Sequence, residues 1–212
     1  MNHRIFFMPL FFLFCFSLVS FTNAYAELVE GKNYTILKNS QPTRDDSKIE
    51  VLEFFWYGCP HCDSLHPHVK TWAQNIPSDA DFRYVPAIFR PNWTTGAKVF
   101  YTIEAMGLLD PLHDKIYHAI HRGKIDLSDE AVVFGWIEKE GIDRKKFEDT
   151  YRSFAVQNQV AKSTQMSRQY QLTGVPAIVV NGKYLTSGGM SPTPEDTIKT
   201  LNALIDKARK EK

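Results

Sequence analysis

Apolar positions fall along this chain in two rhythms. The segment Lys48–Tyr57 (KIEVLEFFWY) is β-branched and aromatic at its centre and almost continuously apolar. That is the pattern of a strand buried on both faces of a sheet. It stops at Gly58, and Pro60 follows where a first helical turn accepts proline, so a helix is expected from there to about Asn75. Asp81–Phe89 reads as a second strand, and Tyr34–Leu37 as a short strand candidate in the polar stretch Glu27–Asp46. The middle of the chain then changes to helical spacing. Thr94–Met106, Pro111–His121, Asp129–Glu140 and the segment from Lys145 carry apolar residues three and four apart, with Val99, Ile103 and Met106 as one stripe and Val133, Trp136 and Ile137 as another. Ser128 and Asp129 mark the start of the third of these helices and Gly141 its end. A long segment from about Phe154 to Tyr170 follows. Strands return at Ala177–Val180 and Lys183–Thr186, joined by Asn181-Gly182, the dipeptide that most strongly signals a tight hairpin. Pro194–Lys210 forms the last helix.

This order, βαβ, then a block of helices, then αββα, predicts an α/β fold. It is the order of a thioredoxin-like sheet with a helical subdomain inserted between its halves. The expected boundaries are 27–90 and 152–212 for the thioredoxin-like domain and 91–151 for the insertion. There is no internal repeat and no low-complexity linker.

Residues 1–26 stand apart. Arg4 is their only formally charged side chain, an apolar run extends from Ile5 to about Phe21, and Ala24-Tyr25-Ala26 precedes Glu27. This is the layout of a secretory signal peptide with an A-x-A cleavage signal, and it predicts export to the periplasm. An uncleaved membrane anchor is the alternative, which Pro9 and the small residues before Glu27 disfavour. Cleavage would remove Arg4 and Cys15, leaving Lys plus Arg equal to Asp plus Glu at 24 each and two cysteines, Cys59 and Cys62. A neutral exported chain argues against nucleic acid as a partner.

Two cysteines in an oxidising compartment ordinarily form one structural staple. Here they stand as Cys59-Pro60-His61-Cys62, where the buried strand meets the helix. Helix N-terminal N–H groups and the macrodipole stabilise a thiolate at Cys59, and His61 can add a donor or a positive charge. A stabilised thiolate favours the reduced form, which makes the disulfide oxidising. A metal site is the rival reading, with Cys59, Cys62, His66 and His68 as ligands. Against it, His66 and His68 point to different sides of a helix and Pro67 lies between them. A second motif, Gly174-Val175-Pro176, precedes the returning strand, where proline costs no ladder bond.

Cys-Pro-His-Cys after the run Val51–Tyr57, the helical middle, and Gly-Val-Pro before Ala-Ile-Val-Val-Asn-Gly-Lys-Tyr together resemble the DsbA family of thiol:disulfide interchange proteins, over nearly the whole mature chain. The resemblance implies a protein dithiol:disulfide oxidoreductase that introduces disulfides into exported proteins. Its only redox group would be the Cys59–Cys62 disulfide, with no further cofactor and no metal. Cys59 would be the attacking sulfur and Cys62 its buried partner, with Pro60 and His61 tuning the couple. Pro176 would be a cis-proline against the disulfide, and Val175 would offer backbone groups to a substrate strand. Glu53 matches a buried acid of the family that passes protons to the inner cysteine; a strand-edge salt bridge is its alternative. The resemblance further implies reduced exported proteins as substrates, a DsbB-like quinone-linked membrane oxidase as reoxidant, and a monomer.

Trp56, Tyr57 and Met190 are candidates for an apolar substrate groove, or else for the core. His113, His118 and His121 read as surface or packing residues of the insertion. Two other functions stay open at this level: a disulfide isomerase or reductase, and a periplasmic binding or chaperone module using the same groove.

Overall fold

In a computed structural model describing residues 28–212, the chain runs β1 (Thr35–Ile36), β2 (Ile49–Phe55), α1 (Pro60–Ala73) and β3 (Ala80–Pro86). A block of helices follows: α2 (Thr94–Ala105), α3 (Leu109–His121), α4 (Glu130–Lys139), α5 (Arg144–Tyr151) and α6 (Phe154–Gln169). The chain closes with β4 (Ala177–Val180), β5 (Tyr184–Ser187) and α7 (Pro194–Arg209). The five strands form one sheet in the order β1-β5-β4-β2-β3. β2 and β3 pair in parallel, with α1 as their crossover, while β4 lies antiparallel to β2 and β5 to β4. This is a thioredoxin fold carrying an inserted helical domain. The expected signal segment 1–26 lies outside the described residues.

All seven residues of β2 are buried, as its unbroken apolar run requires of a strand covered on both faces. One face packs Ile49, Val51, Ile178 and Val180 against Leu65 and Val69 of α1 and Leu201, Leu204 and Ile205 of α7. The other face packs Leu52, Phe54 and Val179 near Tyr170, at the end of α6. A third cluster joins the end of β2 to the helical block, and Phe55, Tyr57, Cys59 and Cys62 lie in it with Phe100, Ile116 and Tyr117. The dithiol therefore sits in the seam between sheet and insertion. Among the described residues no helix is long and apolar enough to cross a membrane.

The strand and helix ends expected from sequence fall within a few residues of those observed. The largest trim is at β3, which stops at Pro86 rather than Phe89. α1 runs through Pro67 without breaking, with the ring on its exposed side.

Candidate active site

Cys59 is the N-cap residue of α1, with extended backbone (φ −86°, ψ 117°), and Pro60 occupies the first helical position. Proline there sacrifices only an N–H that has no partner within the helix. The backbone around Cys59 is closed by hydrogen bonds from its own N–H to the Trp56 carbonyl (3.0 Å) and from the Asp63 N–H to the Cys59 carbonyl (3.0 Å). The Cys59 side chain is left facing the unpaired end of the helix. Both cysteines are free thiols in this state. Cys62 is fully buried, and Cys59 is only 7% exposed. The contrast in accessibility is thus smaller than the sequence suggested, because Val175 closes over Cys59: its thiol reaches the Val175 carbonyl at 3.5 Å.

Charge separates the two sulfurs more sharply. The Cys59 pKa is lowered to about 6, first by a hydrogen bond from the Cys62 thiol; burial opposes this, and the backbone N–H groups of Cys62 and His61 and the charge of His61 add to it. The Cys62 thiol is pushed strongly up by burial, by the hydrogen bond it donates to Cys59 and by the Cys59 and Glu53 charges. The pair therefore holds one proton and one negative charge near neutral pH, with the charge on Cys59. His61 is exposed, and its charge is the smallest of these contributions to Cys59.

The peptide bond Val175–Pro176 is cis, and Pro176 opens onto β4 beside the dithiol. A cavity of about 470 Å³ begins there, lined by His61, Leu172, Val175, Pro176, Gly188 and Met190 among others. Met190 thus belongs to the groove. Tyr57 does not: it is 1% exposed and part of the core. Trp56 faces the opposite flank of the motif and stacks on Trp93, with ring centroids 4.1 Å apart and planes 4° from parallel.

Glu53 is 1% exposed, and its Oε2 has no hydrogen-bond partner. Burial raises its pKa to about 8, so it is largely protonated at neutral pH. The strand-edge salt bridge considered for Glu53 does not form. Glu50, three residues earlier in β2, makes that interaction instead, with Arg83 on β3. Side chains alternate along a strand, so Glu50 turns to the α6 side and Glu53 toward α1, where Cys62 sits.

The histidines of the insertion divide between the surface and the packing that the sequence reading allowed. His118 is exposed. His113, expected as a surface or packing residue, is 3% exposed and takes part in a 2.7 Å hydrogen bond with the Tyr57 hydroxyl through Nδ1. His121 donates to the Tyr57 carbonyl at 2.8 Å. Both brace the residue two before Cys59 from α3, fifty or more positions away, a contact that helical periodicity cannot announce. His66 is buried and paired with Asp114 at 2.6 Å, whereas His68 lies 3.5 Å from Glu195. The two residues of the metal reading therefore diverge, and among the described residues no three metal-ligating side chains are grouped. Sequence reasoning missed Asp114 and Trp93, which carry no motif.

Residues 50–199 match the family model of the DSBA-like thioredoxin domain. The chain is 38% identical to the thiol:disulfide interchange protein DsbA of Pseudomonas aeruginosa over 179 residues, which span 84% of this chain and 85% of that protein. It is 36% identical to the protein of the same name from Pseudomonas syringae, over 91% of each chain. Among solved structures, the crystal structure of Pseudomonas aeruginosa DsbA superposes with a TM-score of 0.82 at 38% identity, covering 85% of this chain and 94% of the other. Reduced DsbA1 from Neisseria meningitidis gives 0.78 at 32% identity, over 88% and 97%.

Proposed function

The chain belongs to the DSBA-like thioredoxin family, and from that premise we propose that it introduces disulfides into exported proteins by transferring a Cys59–Cys62 disulfide. The observation that carries this reading is the asymmetry of the two sulfurs: the thiolate is stabilised on Cys59, at the helix end, and disfavoured on buried Cys62. Stabilising the reduced dithiol in this way raises the tendency of the disulfide to accept electrons.

The steps follow from that asymmetry. A substrate thiolate attacks the Cys59 sulfur, the Cys59–Cys62 bond breaks, and its electron pair goes to Cys62. An anion on buried Cys62 is unfavourable, and protonated Glu53 on the strand facing α1 supplies a proton. The second substrate thiolate then attacks the substrate sulfur of the mixed disulfide and releases Cys59 as a thiolate. One substrate dithiol becomes a disulfide, the enzyme gains two electrons and keeps one proton, and one proton goes to solvent. The Val175 backbone and the groove beside Pro176 and Met190 hold the substrate segment. The setting is the periplasm, the substrates are reduced exported proteins, and a quinone-linked membrane oxidase of the DsbB kind restores the disulfide.

The experiment is oxidative refolding of a reduced, disulfide-containing protein by stoichiometric oxidised enzyme. The wild type should return native disulfides. Cys62→Ser, first loaded at Cys59 as a mixed disulfide with glutathione, should exchange glutathione for the substrate and accumulate an enzyme–substrate mixed disulfide through Cys59, and Cys59→Ser should do neither. Refolding that survives Cys59→Ser would make the groove a binding module instead.

A further inference from the structure

Three buried polar atoms near the dithiol lack any partner: Glu53 Oε2, His66 Nδ1 and His113 Nε2. Buried polar groups are ordinarily satisfied, so each exception asks for a reason. The three are parts of one cluster. Tyr84 stands directly beside Glu53 in the β2–β3 register, on the same face of the sheet. The Tyr84 ring lies 4.6 Å from the His113 ring and 6.0 Å from that of His66, and the two imidazoles are 4.5 Å apart. Nε2 of His66 meets Asp114 at 2.6 Å. The Asp114 side chain is 49% exposed and also pairs with Lys70. A row of proton-bearing groups thus leads from Glu53 to a carboxylate at the surface.

We propose that the His66–His113 pair, opening to solvent at Asp114, is the route by which Glu53 recovers the proton it gives to Cys62. This inference rests on the role assigned to Glu53 above. Once Glu53 has protonated Cys62 it is a carboxylate sealed from water, and with its pKa raised to about 8 it takes a proton again at neutral pH when one enters from outside; the proton on Cys62 leaves by the same route when the disulfide re-forms. An imidazole suits that transfer, since it takes a proton at one nitrogen and gives one up at the other. Burial lowers the pKa of both rings, so both are neutral at pH 7 and free to pass a proton without storing it. The other ionisable groups around the pair are Asp63 and Lys70 on α1, Tyr117 on α3, Tyr84 on β3 and Tyr57 after β2. The phenols are held protonated by burial, and Asp63 and Lys70 act on the histidines only through their charge. His66, His113 and Asp114 act through Glu53 and touch no substrate.

The test compares wild type with His66→Gln, Asp114→Asn and Glu53→Gln. Reduction of the oxidised proteins by excess dithiothreitol is followed against pH in weak buffer, with the proton uptake that follows it read by an indicator dye, and each variant's equilibrium potential and Cys59 thiolate titration are measured alongside. His66→Gln and Asp114→Asn should slow the proton uptake that follows reduction about 10-fold or more, near the lower end of what positioned proton transfer contributes. They should also erase the inflection below about pH 6.5 and leave the potential and the Cys59 titration where they were. Asp114 lies at the surface, so that variant reports even if His66→Gln folds poorly. Wild-type rates and profile in both variants overturn the route. Slowing that comes with a matching shift in potential also overturns it, because the cluster would then act only as a field on the sulfurs. If Glu53→Gln is slow while the other two are fast, only the route falls; if Glu53→Gln reacts at wild-type speed, the role of Glu53 falls beneath it.

Discussion

Between the two neighbours of Cys59 in its own motif, Cys62 does more for its thiolate than His61. The Cys62 thiol donates directly to the Cys59 sulfur, while the His61 charge is a lesser influence from an exposed ring. Thiolate absorbance should therefore titrate near pH 6 in the wild type. Cys62→Ala should raise that midpoint further than His61→Ala does, and the reverse order would mean that the imidazole governs the couple. Glu53 offers an independent reading of its own burial. A carboxyl whose pKa is raised in the fold binds its proton more tightly there than in the unfolded chain. It therefore contributes stability that is fully present below the unfolded value of about 4.3 and is lost as pH rises through the folded value of about 8. Glu53→Gln removes that loss, so the variant should gain melting temperature over wild type as pH goes from 5 to 8. A difference independent of pH would mean that Glu53 is ionised throughout.

At the scale of elements, the turn between β4 and β5 shows what a sequence pattern can specify. Asn181 and Gly182 both have positive φ, 52° and 63°, the requirement of the tight hairpin turn that Asn-Gly announces. A Cβ at Gly182 would lie 2.0 Å from the Gln41 carbonyl oxygen. Gly182→Ala should therefore destabilise by more than the roughly 1 kcal/mol of backbone strain alone, as denaturant unfolding would show. Helix starts were legible for a similar reason: Asp129 accepts from Ala131 N at 2.8 Å at the head of α4, and Asp129→Ala should cost about 1 kcal/mol in the same measurement. The dithiol and Gly-Val-Pro were legible because their chemistry is local in sequence. What stayed hidden depends on distant contacts. Nothing in α3 announces that His113 and His121 would reach Tyr57, or that Asp114 would meet His66 from a position 48 residues away. The reading of Glu53 as a salt bridge failed because Glu50, three positions earlier and on the other face of β2, is the acid that turns to Arg83. The low exposure of Cys59 likewise depends on Val175, which joins it only through the fold.

For the whole molecule, the seam between sheet and helical block lets one dithiol set the balance between two redox forms. Cys59 in the reduced protein has a pKa lowered to about 6, against about 8.5 unfolded. A lowered pKa contributes stability that is fully present above the unfolded value and lost as pH falls through the folded one. By pH 8 this favours the reduced form by about 2.5 kcal/mol, at about 1.4 kcal/mol per pH unit. Closing so small a ring favours the oxidised form by about 2 kcal/mol at every pH, through the unfolded chain. The raised pKa of Cys62 costs the reduced form only above about pH 8.5, and buried Glu53 burdens both forms alike. The two redox forms should therefore change places in stability with pH.

Thermal melts of the oxidised and reduced proteins at pH 5 and pH 8 test most directly whether Cys59–Cys62 is an oxidising dithiol. The oxidised form should melt higher at pH 5 and the reduced form higher at pH 8. An oxidised form that melts higher by the same margin at both would make the disulfide a structural staple and contradict the account.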